Sequence, residues 1–194
     1  DKMFTIKENK IYEYEIKKSR FISILIKIKD KNEIESHLEE IRKKYKDATH
    51  YCYGYYLEND YHFSDDGEPG GTAGLPIIQV LKNNNLTNVL WLVIRYFGGI
   101  KLGSGGLVRA YTKAVVELLK ECEIVQLVDG YVVKIITSYD KVKLLDNILK
   151  NKIIINRSFN DNIYYVVKIE KADLSLISNY NYEILSEEKI EKVE

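Results

Sequence analysis

The sequence predicts an α+β protein of two domains, and two patterns support that fold class. Over residues 1–124, short apolar runs alternate with segments whose apolar residues recur at helical spacing. Near residue 125 the pattern restarts, and 125–194 has the ferredoxin-like order βαββαβ. No linker rich in proline or serine separates the two parts. We therefore predict domains over 1–124 and 125–194.

Strands of the first domain are predicted where apolar residues alternate or run without interruption. Isoleucines alternate over 20–29, and tyrosines dominate 50–57. Residues 89–94 are continuously apolar, which indicates a central strand buried on both faces.

Helices are predicted between and after these strands. Asn32 is the predicted N-cap of the first helix, and Glu35 completes a capping box. Pro76 suits the first position of a second, short helix that ends near 83–85. Ser104 is the predicted N-cap of a third helix, from 105 to about 121.

The second domain is predicted to contain a strand at 131–137, a helix at 138–150, strands at 153–159 and 163–170, a helix at 172–179 and a strand at 182–185. The two middle strands are joined by Asn160, Asp161 and Asn162, residue types that favour turns. We therefore expect these strands to pair in antiparallel fashion.

Composition limits the possible functions. The apolar runs are far shorter than the roughly 20 residues needed to span a bilayer, so no membrane contact is predicted. Two cysteines and the lack of a secretory signal pattern favour free thiols in the cytoplasm. The chain has 29 basic and 29 acidic residues, and neither predicted domain has an excess suited to nonspecific phosphate binding. A nucleic-acid site must therefore come from local arrangement.

Nine of the eleven glycines lie between residues 64 and 111. The second glycine-rich stretch, RYFGGIKLGSGGLVRAY at 95–111, follows an apolar strand and enters the long helix. The N–H groups near Ser104, Gly105 and Gly106 and the helix dipole favour an anion there. Arg95, Lys101 and Arg109 add three cations, so a phosphate site is predicted. In the alternative, the glycines permit close packing and the cations pair with upstream carboxylates.

The first glycine-rich stretch, SDDGEPGGTAG at 64–74, is acidic. Asp65, Asp66 and Glu68 could hold Mg²⁺ or exchange protons. They could instead form a structural clasp with Arg95 or Arg109, or contact a partner directly. We assign no metal ligand, cofactor or catalytic residue from the sequence.

Two further features each have two interpretations. His50 and Cys52 share one face of a strand, either as a nucleophilic pair or as a packed cysteine beside a hydrogen-bonded histidine. The sixteen tyrosines could stack RNA bases or simply reflect compositional bias and strand preference.

These motifs resemble those of the IMPACT/YigZ family. The resembling segments are KKSRF at 17–21, ATH at 48–50, SDDGEP at 64–69, GTAG at 71–74, RYFGGIKLG at 95–103 and GGLVRAY at 105–111. The resemblance implies a ribosomal-protein-like α/β domain followed by one similar to elongation factor G domain V. It also implies a link to translation, since eukaryotic IMPACT proteins restrain a starvation-activated translation kinase by competing for its ribosome-associated activator. For bacterial members, nucleic-acid or ribosome binding is the usual suggestion.

We therefore predict a translation-linked protein that contacts RNA or the ribosome. Lys18 and Arg20 would widen the phosphate site, and the acidic stretch would order it. Two alternatives remain at this stage. One is an enzyme acting on a nucleotide or phosphorylated small molecule, with Asp66 and Glu68 holding Mg²⁺. The other is a regulator whose tyrosine-rich face docks a protein.

Overall fold

The computed structural model describes residues 2–58 and 60–193. It divides into two compact units, one formed by Met3–Val125 and the other chiefly by Gln126–Glu194. Both units combine sheets and helices, which confirms the predicted α+β fold of two domains. No helix in the described part of the chain is long and apolar enough to cross a membrane.

The elements of the first unit are β1 Met3–Ile6, β2 Lys10–Ile16, β3 Ser19–Lys27, α1 Asn32–Lys44, β4 His50–Leu57, β5 Asp60–Ser64, α2 Gly74–Asn83, β6 Val89–Tyr96 and α3 Gly103–Lys120. Five of the strands form an antiparallel sheet in the order β2-β3-β6-β4-β5.

The central strand β6 is apolar over most of its length because both of its faces are covered. Leu90, Leu92 and Ile94 pack in the cluster that contains the buried side chains of α1. Trp91 and Val93 pack in the cluster that contains those of α2 and α3. The sheet is therefore the middle layer of the unit, with α1 on one face and α2 and α3 on the other.

Edge and short strands are absent from the sequence prediction. β2 has the sequence KIYEYEI, β5 has DYHFS, and both are edge strands of the sheet. A strand at an edge is covered less completely than a central one, so its apolar pattern is weak. The short strand β1 was missed as well.

Helix starts differ from the prediction. Asn32 is the first residue of α1 and not its cap. Glu33 instead accepts backbone N–H bonds from Lys29 and Asp30, and Asp30 accepts one from the N–H of Asn32. Side-chain bonds to backbone N–H groups at the helix start therefore come from Asp30 and Glu33, two residues before the predicted pair Asn32 and Glu35.

The other two helices also begin earlier than predicted. α2 begins at Gly74, two residues before Pro76. α3 begins at Gly103, so Ser104 lies inside the helix and is not its N-cap. Gly103 has a φ of 72°, which glycine adopts without the steric cost of a side chain.

The second unit has the predicted βαββαβ order. Its strands are β7 (Ile124–Thr137), β8 (Ile153–Phe159), β9 (Ile163–Glu170) and β10 (Asn181–Glu191), and they are arranged β10-β7-β9-β8. The first helical segment is split into a 3₁₀ turn at Tyr139–Lys141 and α4 at Val142–Ile148, and the second is 3₁₀ helix at Lys171–Ile177. Strands β8 (Ile153–Phe159) and β9 (Ile163–Glu170) have the predicted bounds. Strands β7 (Ile124–Thr137) and β10 (Asn181–Glu191) are longer than predicted.

One buried hydrogen bond offers a test of the first unit's packing. The indole Nε1 of Trp91 donates to Ser23 Oγ over 2.8 Å, and both residues are fully buried. Ser23→Ala leaves that donor unsatisfied, so we expect the free energy of unfolding to fall by about 1–3 kcal/mol. Urea denaturation followed by the fluorescence of Trp91 measures the loss. The control is Ser36→Ala on the exposed face of α1. Equal unfolding midpoints for the two variants would contradict this account.

Candidate functional site

A buried ion pair joins the acidic loop (residues 65–73) to the sheet. The side chains of Glu68 and Arg95 are 3% and 6% exposed. Arg95 Nη1 donates to both carboxylate oxygens of Glu68, over 3.0 and 2.9 Å. The hydroxyl of Tyr111 on α3 donates to Glu68 Oε2 over 2.5 Å, and Arg95 also donates to Ser19 Oγ on β3. Side chains from the loop, two strands and a helix therefore meet around one carboxylate.

His50 completes this cluster, which we call the Glu68 cluster (Ser19, His50, Glu68, Arg95 and Tyr111). Its Nδ1 lies 2.7 Å from the carbonyl oxygen of Asp66. Its Nε2 lies 3.2 Å from Glu68 Oε1. A carbonyl oxygen only accepts hydrogen bonds, so Nδ1 is the donor and the ring is fixed in orientation.

Cys52 is a packed thiol and not a nucleophile. Its Sγ donates to the carbonyl oxygen of Asp65 over 3.1 Å and lies 3.4 Å from the hydroxyl of Tyr111. Burial raises the pKa of the Cys52 thiol, which keeps it protonated and unreactive. The ring nitrogens of His50 contact Asp66 and Glu68 instead of the thiol. The packed-cysteine interpretation is therefore confirmed, and the nucleophilic pair is wrong.

The other two acids of the loop bind backbone N–H groups. Asp65 accepts from Gly71, Ala73 and Gly74, and so anchors the start of α2. Asp66 accepts from the N–H of Tyr51 at the start of β4. The structural clasp is thus confirmed, with Arg95 and not Arg109 as its cation.

The two acids proposed as magnesium ligands have partners within the protein. Both carboxylate oxygens of Glu68 are engaged by Arg95, and Asp66 is held by a backbone N–H. Among residues 2–58 and 60–193, no group of three or more histidine, cysteine or acidic side chains is arranged to hold a metal ion. Asp66 and Glu68 are therefore bound within the fold.

The loop that connects β6 to α3, residues 97–102, is the glycine loop. A Cβ on Gly98 would lie 1.8 Å from the carbonyl oxygen of Lys18, so only glycine fits there. The turn between β2 and β3, where Lys17 and Lys18 have positive φ angles, therefore lies directly against the glycine loop. This contact places Lys18 beside the start of the predicted phosphate site.

The start of α3 is exposed and uncapped. No side chain caps the helix, and within the described chain the N–H groups of residues 103–105 have no hydrogen-bond acceptor. Arg109 folds back over this helix start, with its Nη1 3.4 Å from where a Cβ on Gly105 would lie. Lys18, Lys101 and Arg109 are exposed. None of the three forms an ion pair with a residue that the structure describes. The free donors and cations thus share one surface.

The structure buries one residue of the predicted phosphate site and pairs a second at the surface. Arg95 is buried and its donors are occupied by Glu68 and Ser19, so it is not available to a ligand. Arg20 is paired with Glu13 and lies over the ring of Tyr96, 5.4 Å from its centroid, but its side chain is 48% exposed and stays a candidate. The predicted residues that stay exposed or at the helix start are Lys18, Arg20, Lys101, Ser104, Gly105, Gly106 and Arg109.

Sequence reasoning missed Phe97, the first residue of the glycine loop. Its side chain is 45% exposed, and its N–H donates to Thr49 Oγ1 over 2.9 Å, which fixes its backbone. Arg95 lies 5.4 Å from the centroid of its ring. A large aromatic residue beside two glycines at the end of a strand was the signal that could have identified it.

Comparison with known proteins identifies the family. The model of the Impact N-terminal domain matches residues 17–119, which include every residue of this site. The chain is 35% identical over 186 residues to the IMPACT family member YvyE of Bacillus subtilis, covering 93% of this chain and 86% of that protein. The chain belongs to the IMPACT family.

One further relative and one solved structure are also similar to this chain. The IMPACT family member YigZ of Escherichia coli is 39% identical over 112 residues, which cover 55% of each protein. A crystal structure described only as a hypothetical protein aligns with 96% of this chain and 97% of its own, with a TM-score of 0.63 and 27% identity. The resemblance drawn from the motifs is therefore confirmed.

Two Glu→Gln substitutions are expected to lower the free energy of unfolding by very different amounts, because only one of them lies in the Glu68 cluster. Glu68→Gln keeps the side-chain shape but leaves the buried guanidinium of Arg95 without its counter-charge, so we expect a loss of about 3–5 kcal/mol in the free energy of unfolding. Glu13→Gln breaks the pair with Arg20, whose side chains are about half exposed, and should cost at most about 1 kcal/mol. Urea unfolding monitored by Trp91 fluorescence compares them. Similar losses in the two variants would refute the proposed role of the cluster.

Proposed function

We propose that this protein binds RNA, free or within the ribosome, and thereby acts in translation. The interface is the glycine-loop surface, defined by Lys18, Phe97, Lys101, Arg109 and the first turn of α3. The observation that carries the proposal is the uncapped start of α3, flanked by exposed cations that have no acidic partner in the described chain.

A phosphate group suits this surface on electrostatic grounds. The start of a helix carries roughly half a positive charge, and its first N–H groups point out of the helix end. Arg109 extends over that end, and Lys101 precedes it by two residues. A phosphate oxygen would accept from these N–H groups, while the side chains balance the remaining charge.

A polymer of phosphates fits better than a small phosphorylated molecule. The cations lie on exposed residues of three separate segments, namely the turn between β2 and β3, the glycine loop and α3. Phe97 offers an exposed ring among them, and single-stranded nucleic acids are held by combining backbone contacts with base stacking on such rings. These features favour RNA with unpaired bases.

The link to translation comes from the family. The IMPACT resemblance implies a role in translational control, and a cytoplasmic location belongs to the same proposal. The tyrosine-rich face does not compete strongly as a docking surface, because Tyr55 is buried and the hydroxyl of Tyr51 is bound within the fold. Binding of a protein partner instead of RNA is therefore one of the outcomes that the experiment below distinguishes.

Binding of a fluorescein-labelled single-stranded RNA of about 16 nucleotides, measured by anisotropy, tests the proposal. We expect an affinity that falls steeply between about 50 and 200 mM salt. Lys101→Ala/Arg109→Ala should flatten the slope of log K against log salt by roughly 0.7 for each phosphate that the variant no longer binds.

The control is Lys29→Ala/Lys82→Ala, which removes two exposed lysines at the other end of the sheet, beyond the pair Lys27 and Val89. It should leave the slope unchanged. Salt-independent binding, or equal slopes for the two double variants, would count against the proposal. Capture of a protein that survives nuclease treatment, with no RNA binding, would favour a docking role instead.

A further inference from the structure

We propose that the RNA-binding surface continues from the glycine loop onto the C-terminal end of α1, where Arg42, Lys44 and Lys46 hold further phosphates of the same RNA. This inference rests on the proposed function and extends its surface. We call these three residues the α1 cations.

The fold places the α1 cations beside the glycine-loop surface. The hydroxyl of Tyr96, the last residue of β6, donates to the carbonyl oxygen of Lys46 over 2.9 Å. Three residues later, the N–H of Thr49 donates to the carbonyl oxygen of Arg95, and its hydroxyl accepts from the N–H of Phe97. The chain that leaves α1 therefore runs along the end of β6, immediately before the glycine loop.

The α1 cations are exposed and lack acidic partners in the described chain. Arg42 lies over the ring of Tyr51, 5.9 Å from its centroid, and Lys44 lies over the ring of Tyr45 at 5.6 Å. Aromatic faces support these two side chains without neutralising them. Asp47 is the only acid between residues 42 and 50, so this segment keeps a clear positive excess.

Helix stability explains only part of this charge. Cations in the last turn of a helix interact favourably with its dipole. Lys46 lies beyond Tyr45, the C-cap residue of α1, and so outside the last turn. Helix α2 ends with a single lysine, Lys82. The charge at the end of α1 therefore exceeds what a second helix of the same unit carries.

RNA is the occupant that these features favour. Phe97, with its exposed ring, lies between the α1 cations and Lys101 on adjoining segments, which is where a base could stack while phosphates are bound on either side. An anionic membrane would also meet the cations and the exposed Phe97 and Ile100, and it is therefore included in the experiment as an opposing outcome.

The experiment repeats the RNA anisotropy titration with the full chain carrying Arg42→Gln/Lys44→Gln/Lys46→Gln. Glutamine is a long polar side chain with a similar helix propensity. We expect the slope of log K against log salt to flatten by about 2, at roughly 0.7 for each phosphate. Lys46→Gln alone, outside the helix, should flatten it by about 0.7 and provides the test if the triple variant folds poorly. Lys29→Gln/Lys82→Gln is the control and should leave the slope unchanged.

The outcomes separate the two proposals. If the triple variant matches the unaltered protein while Lys101→Ala/Arg109→Ala weakens binding, the extension onto α1 is wrong and the proposed function stands. If the unaltered protein does not bind RNA, both are wrong. Binding to vesicles containing phosphatidylserine that depends on the α1 cations, with no RNA binding, would overturn the choice of RNA.

Discussion

The pairing of Glu68 with Arg95 connects the acidic loop, the sheet and α3. A charge placed in the interior without a counter-charge destabilises a protein strongly, so the loop that carries Glu68 must reach β6 for the unit to fold. Tyr111 binds the same carboxylate, which fixes α3 in turn. Asp65 then holds the start of α2 from the same loop. The acidic loop thereby contacts both helices on this face of the sheet, α3 through Glu68 and α2 through Asp65.

This pairing also determines which charges remain for binding. Glu68 neutralises Arg95 inside the protein, and Asp65 and Asp66 are occupied by backbone N–H groups. No acid of the loop is left to approach Lys101 or Arg109. The acidic loop and the glycine loop therefore have separate roles, since the first completes the interior and the second faces solvent.

Strands could be located from the sequence where the residue types within one segment were enough to indicate a strand. β4, β8 and β9 have the predicted bounds because their residue types favour strands and turn residues flank them. The edge strand β2 was missed because its two isoleucines, Ile11 and Ile16, lie at exposed positions while its inward positions hold tyrosines. The binding site at the glycine loop stays a prediction, whereas the role of Arg95 depended on which carboxylate the fold places opposite it. Which of several acids pairs with Arg95 depends on the tertiary fold and cannot be read from a local pattern. The same holds for the contact between the segment that follows α1 and the end of β6.

The balance of 29 basic and 29 acidic residues has a consequence for encounters in solution. An excess of positive charge at one place requires an equal negative excess elsewhere on the chain. A protein without net charge is attracted only weakly to a distant polyanion. The electric field of the polyanion nevertheless turns the cationic region of the protein toward it. Its acidic surfaces are repelled. Orientation thus precedes contact, and misaligned collisions separate quickly.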